Sequence, residues 1–252
     1  MAAKIIWRHD TSGDGPESLI WLHGWGHNRA GFQRIAALFQ NVGQNRLYDL
    51  PGFGETPRLF DGAATNDYAD SLAAQLDKDR QHIIIGHSYG GRVAVQLAAK
   101  YPTLVKAIIL VGGAGLPRRR SIFFKIKAAG LKALGKAARI CDRVFRTKYQ
   151  DAYRARFGSE DYRNAGDLRG TLVSAVTENL AAQAREIKCP ALLLYGDGDT
   201  EAPPEIGKRY ETLIAVSRYI ELKGYDHHDI LTRGAYQCEA LINSFLKDLD
   251  HE

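Results

Sequence analysis

Residues 82–91 read HIIIGHSYGG. The run of β-branched apolar residues ending in glycine predicts a buried strand over His82–Gly86. Tyr89–Lys100 then has the composition of a helix, stopped by Tyr101-Pro102. Where one becomes the other, a single serine, Ser88, stands between Gly86 and Gly90. A strand-to-helix turn this tight leaves room only for small residues two positions either side of the serine. It holds the serine in strained backbone, with the hydroxyl at the top of the sheet. The start of the helix adds a positive dipole end and free N–H groups. A strand before and a helix after G-x-S-x-G is the context of a nucleophile elbow; taken alone, the five residues are more often an inert glycine-rich turn.

Outward from the elbow, short apolar runs alternate with helical patterns. Strands are predicted at Ser18–His23, Asn45–Leu50, Val105–Val111, Ala191–Tyr195 and Ser217–Leu222. Helices are predicted at Gly31–Phe39, Tyr68–Leu76, Pro204–Leu213 and Ala235–Leu249. Continuous apolar strands separated by helices imply an α/β fold, a mostly parallel, doubly wound sheet covered on both faces. At 252 residues and 45% hydrophobic, the chain can bury such a core without disulfides or metals.

The alternation breaks between Leu116 and Leu180, where only helical signals occur. Ile122, Ile126, Ala129, Ala133, Ala137, Cys141 and Val144 form an apolar stripe among Lys and Arg. The expected organisation is a core over residues 1–116, an inserted helical basic cap over 117–181, and the rest of the core over 182–252. An insertion after a strand's C-terminal end sits above the sheet edge where ligands bind. Residues 117–157 hold 13 Lys and Arg against 2 Asp, a net of +11, whereas the remainder carries a net of −6. This asymmetry points to an acidic partner met by the cap, through Arg118, Arg119, Arg120, Lys125 and Lys127. A solvated helix face is the plainer reading of the same charges.

A serine nucleophile needs a base and an acid, expected in the chain order serine, acid, histidine. Gly196-Asp197-Gly198-Asp199 follows the strand ALLLY, and Gly224-Tyr225-Asp226-His227-His228-Asp229 follows SRYIEL. Both therefore fall on the sheet edge that carries Ser88. A carboxylate orients the imidazole, and the imidazole takes the serine proton. The oxyanion of such a reaction needs two backbone N–H groups. Tyr89, after the nucleophile, supplies one, and Trp25 in His23-Gly24-Trp25-Gly26 supplies the other. His23, Trp25 and Tyr89 are expected to line the substrate pocket. His227, His228 and Asp229 lack a third ligand at metal spacing, so neither a metal nor any cofactor is expected.

The motifs LHGWG (22–26), DLPGFG (49–54), GHSYGG (86–91), YGDGD (195–199) and GYDH (224–227) together resemble the α/β-hydrolase superfamily. The resemblance spans nearly the whole chain and implies an α/β-hydrolase fold and a cofactor-free serine hydrolase. It selects Asp199 over Asp197 and His227 over His228, giving a catalytic set of Ser88, Asp199 and His227. LHGWG with DLPGFG resembles in particular the esterases that cleave pimeloyl-acyl carrier protein methyl ester. Those enzymes use a basic helical cap to meet an acidic carrier, which implies a carrier-protein-linked or small-molecule ester as substrate.

A second reading is a peripheral lipase or lysophospholipase whose basic cap, with Phe123 and Phe124, lies on anionic lipid. A nonenzymatic binding protein is disfavoured by the intact serine, acid and histidine. A nucleotide-dependent dehydrogenase is disfavoured because no GxGxxG follows the first strand. No nucleic-acid-binding module accompanies the basic residues. The N-terminal segment has no apolar h-region, no apolar run is long enough to span a bilayer, and Cys141, Cys189 and Cys238 lie far apart. A cytoplasmic location with reduced thiols is the expectation.

Overall fold

The computed structural model describes residues 5–119, 122–145, 149 and 163–249. Its centre is a six-stranded sheet in the order β2-β1-β3-β4-β5-β6. The strands are β1 (His9–Leu22), β2 (Gly43–Tyr48), β3 (His82–His87), β4 (Val105–Val111), β5 (Ala191–Gly196) and β6 (Ser217–Leu222). Every neighbouring pair is parallel, with Leu22 opposite Gly86 and Val111 opposite Leu194.

Strand alternation divides the core in two. Ile20, Leu22, Ile84, Ile108, Leu110 and Leu193 point to one face. They meet α2 (Thr65–Ala73), α3 (Tyr89–Lys100), α6 (Ala181–Glu186) and α7 (Pro204–Leu213). Leu19, Trp21, Ile83, Ile85, Ile109 and Leu194 point to the other face. They meet the short α1 (Gln33–Ala36), its flanking turns, and α8 (Ala235–Leu249). Period-2 side chains buried on both faces are what a covered parallel sheet requires.

Two differences from the sequence expectation have physical causes. First, β1 begins at His9, nine residues earlier than predicted. HDTSGDGPE is polar and broken by Gly and Pro, yet it pairs with β2 through a series of register shifts. Second, Gly31–Phe39 is not one helix but a 3₁₀ turn over Arg29–Phe32, one α turn, and a second 3₁₀ turn over Ala37–Phe39. Phe32, Ile35, Ala36 and Phe39 are buried all the same. The Asn28 side chain caps the first turn by accepting the Ala30 N–H.

Between β4 and β5 lie α4 (Ile122–Phe145), α5 (Arg169–Thr177) and α6, and no strand among the described residues. The expected basic contacts fall unevenly here. Arg120 lies outside the described residues, as do the side chains of Lys125 and Lys127. The order of β2, β1 and β3 reverses direction between β1 and β3, so the loops after Leu22 and His87 diverge at one place on the carboxyl edge. Such a switch point is where open α/β sheets bind ligands.

Candidate active site

Ser88 sits at that switch point as the residue before α3, with φ 50° and ψ −110°. Among the described non-glycine residues it alone has positive φ. The strain is imposed by packing. A Cβ at Gly86 would stand 2.6 Å from the Gly90 carbonyl oxygen, and one at Gly90 would overlap the Leu22 carbonyl of β1. Strand, turn and helix are thus too close for any side chain but hydrogen at both glycines. The Ser88 N–H donates to the Val111 carbonyl (3.3 Å), and its own carbonyl accepts from the Ala114 N–H (3.1 Å).

The acid and the base meet from two other strand ends. Asp199 follows β5 and His227 follows β6; both are buried, at 4% and 3% exposure. His227 Nδ1 donates to Asp199 Oδ2 over 2.6 Å. Asp199 Oδ1 accepts the N–H groups of Glu201 (2.8 Å) and Ala202 (2.7 Å). A carboxylate satisfied in this way stays fixed and directs the other ring nitrogen, Nε2, outward. Gly112, with φ 54°, makes room for the pair: a Cβ there would come within 3.1 Å of Asp199 Oδ2 and 3.2 Å of His227 Nδ1.

The alternatives have other work. Asp197 accepts the Gly224 N–H (2.7 Å) and lies 3.8 Å from Lys223, closing the β5 and β6 loops together. His228 is exposed and reaches the Glu201 carboxylate (3.2 Å).

Ser88, Trp25, Tyr89 and Arg118 line one cavity of about 350 Å³, together with Arg92, Leu172, Ala175, Glu178 and Glu201. The Trp25 and Tyr89 rings meet edge to face at 5.3 Å. His23, expected in the substrate pocket, lies outside this cavity and lines a neighbouring one of about 180 Å³ with Gly24, His27, His87 and His228. Its Nδ1 donates to the Gly24 carbonyl (2.7 Å) and its Nε2 accepts the Leu50 N–H (3.0 Å), so both nitrogens hold backbone. Burial pushes its imidazole down to about 4. Arg119 pairs with Glu205 at 3.9 Å. Among the described residues no group of His, Cys, Asp or Glu is arranged to hold a metal ion. No described helix is long and apolar enough to cross a membrane.

Four participants escaped the sequence reading because only the fold brings them in. His87 Nε2 donates to the His227 carbonyl (2.9 Å), and burial pushes its ring down to about 3. Arg92 lies 3.7 Å from Glu178, whose carboxylate accepts from Thr65 Oγ1 and Gln96 Nε2. Glu201 lies 3.6 Å from His227 Nε2.

Residues 19–235 match the alpha/beta hydrolase family. The pimeloyl-[acyl-carrier protein] methyl ester esterase of Chromobacterium violaceum is 32% identical over 79% of this chain and 82% of its own length. The protein of the same name from Neisseria meningitidis serogroup B is 28% identical over 93% of this chain and 94% of its own. A thermophilic esterase from Thermogutta terrifontis superposes with a TM-score of 0.72 at 18% identity, covering 97% of this chain and 94% of that one.

Proposed function

The chain belongs to the alpha/beta hydrolase family, and from that premise we propose that it is a serine esterase working through an acyl-enzyme. The observation that carries the reading is the buried 2.6 Å pair of His227 and Asp199, on the sheet edge where Ser88 is held in strained backbone. His227 takes the Ser88 proton through Nε2 as Oγ attacks the ester carbonyl. The backbone N–H groups of Trp25 and Tyr89 hold the oxyanion. Asp199 orients His227 and stabilises its charged form. His227 then protonates the departing alcohol, and a water molecule, activated by the same ring, releases the acid and restores Ser88.

For the substrate we propose an acyl methyl ester carried on an acidic carrier protein, the class named for the Chromobacterium and Neisseria relatives. Residues 117–181 are the cap in this reading, and Arg118, Arg119, Arg120, Lys125 and Lys127 face the carrier. The net of +11 over 117–157 supports it, since opposite charge raises encounter rates. The enzyme acts in the cytoplasm. One observation favours a second reading, a lipase docking on anionic lipid: α4 exposes Leu134, Ile140, Val144 and Phe145 between its basic residues.

The test is hydrolysis of pimeloyl-carrier-protein methyl ester beside p-nitrophenyl esters from acetate to palmitate, with wild type and Ser88→Ala, at low and high salt. Salt-sensitive, Ser88-dependent turnover of the carrier ester supports the first reading. Turnover enhanced by anionic but not neutral vesicles, with long acyl chains preferred, supports the second. No Ser88-dependent turnover of any ester removes both.

A further inference from the structure

Arg92 follows Ser88 by four residues, on the first turn of α3, and lines the same cavity of about 350 Å³. Positions four apart lie on one side of a helix, separated along its axis by about one 5.4 Å pitch. The Arg92 side chain is 13% exposed. A guanidinium is always charged and carries five N–H donors and no acceptor. Here Nη1 is fully buried and has no hydrogen-bond partner among the described residues. Buried donors are ordinarily matched, and an open one is costly.

Glu178 does not meet this demand. Its Oε2 lies 3.7 Å from Nη1, beyond hydrogen-bond reach. Its carboxylate is engaged elsewhere: both oxygens accept from Thr65 Oγ1 (2.7 and 2.6 Å), and Oε1 accepts from Gln96 Nε2 (3.3 Å). Glu178 thus balances the charge of Arg92 across a gap and leaves its fork of donors on offer. Between Ser88 and that fork the wall is apolar, with Leu116, Leu172, Ala175 and Ile206. Glu201, also in the wall, belongs to the histidine end, 3.2 Å from His228.

We infer that Arg92 is a specificity-determining residue that binds a free carboxylate on the acid half of the ester, so that the site takes half-esters of short dicarboxylic acids. This rests on the reading of Ser88 as nucleophile and needs no carrier protein. The ester carbonyl lies at Ser88, methylene groups cover the apolar wall, and the second carboxylate meets Arg92. Two parallel N–H···O bonds suit a planar guanidinium and a carboxylate. Hydrolysis consumes one water and releases the alcohol and the dicarboxylate.

The experiment compares methyl esters that differ only at the far end. Monomethyl glutarate and monomethyl adipate are set against the methyl esters of the corresponding half-amides, with methanol release as the readout. The amide has the size of the acid and no charge. Wild type is expected to favour the acid in kcat/KM by on the order of 10–100-fold, as a hydrogen bond to a charged group supplies. That arm needs no variant. Arg92→Gln is expected to bring the ratio close to one. Arg92→Lys keeps the charge without the fork and is expected to fall between. Equal rates or a preference for the amide in wild type overturns the inference, as does refusal of both half-esters and half-amides. So does a preference that survives in Arg92→Gln and disappears in Arg118→Gln, since Arg118 also lines the cavity. In each of these cases Ser88-dependent turnover of p-nitrophenyl esters leaves the esterase reading standing. No Ser88-dependent turnover of any ester overturns the esterase reading itself.

Discussion

The elbow and the basic helix α4 are built on opposite terms. In the elbow all six residues of β3 are buried, and nine of the twelve in α3. Its one strained residue, Ser88, is held by contacts from β1, β4 and α3 together. In α4, Leu134, Ile140, Val144 and Phe145 stay exposed on a helix flanked by basic residues. The contrast teaches where this chain spends its stability. Strain of a few kcal/mol survives only where the surroundings over-determine it. Apolar side chains on an exposed helix cost little to leave in water and are free to serve a partner.

The largest expected effect lies at the elbow. Ser88→Ala is expected to lower kcat by on the order of 10⁴–10⁶ with the fold intact, as steady-state kinetics and circular dichroism will report. Asp199→Asn follows, at on the order of 10³–10⁴ in kcat, because the amide no longer selects the tautomer that presents Nε2. Removing the room rather than the chemistry comes next. Gly90→Ala drives a methyl group into the Leu22 carbonyl and is expected to cost about 3–5 kcal/mol in urea unfolding.

Smaller is the effect of acid on the histidines that brace the elbow. His23 and His87 are held neutral by burial, with folded values of about 4 and about 3, below the value of about 6.5 in the unfolded chain. Their contribution is therefore complete above pH 6.5 and is lost as pH falls toward 4, because the unfolded chain takes up protons first. Unfolding free energy is expected to drop by on the order of 3 kcal/mol between pH 7 and pH 5. A flat profile would show that the two rings are not held neutral. The smallest effect falls on α4: Val144→Ala and Phe145→Ala are each expected to change stability by less than about 0.5 kcal/mol. A larger loss would show that the contrast between the two regions is overdrawn.

Much of this frame was legible in the sequence where local signals agreed with the fold. Tyr89–Lys100, Val105–Val111, Pro204–Leu213, Ser217–Leu222 and Ala235–Leu249 have the predicted bounds. Each combines an apolar pattern with an explicit stop or start, such as Tyr101-Pro102 or Pro203-Pro204. The first half of β1 was not legible, because its pairing comes from the partner strand and not from its own polar, glycine-broken residues. In the site, Ser88 was announced by spacing, whereas the choice of Asp199 needed a family resemblance. In the structure it is Asp199 that meets His227 Nδ1, while Asp197 accepts the Gly224 N–H. Glu201 and Arg92 were invisible, since no motif marks a carboxylate that reaches an imidazole 26 residues away or a guanidinium that meets Glu178 across a cavity. The backbone bonds of His23 were hidden for a related cause: its place in LHGWG marks the loop, but only the fold brings the Leu50 N–H to its ring.

The central claim is that the hydroxyl presented by GHSYGG is a working nucleophile. The most direct measurement is rapid acid quench of the wild type during turnover of a p-nitrophenyl ester, followed by mass spectrometry of the peptide that carries Ser88. The account predicts an acyl group on Ser88 that appears within the first turnover, decays when ester is exhausted, and is absent in Ser88→Ala. Turnover that continues in Ser88→Ala, or an acyl group found on another residue and never on Ser88, would contradict it.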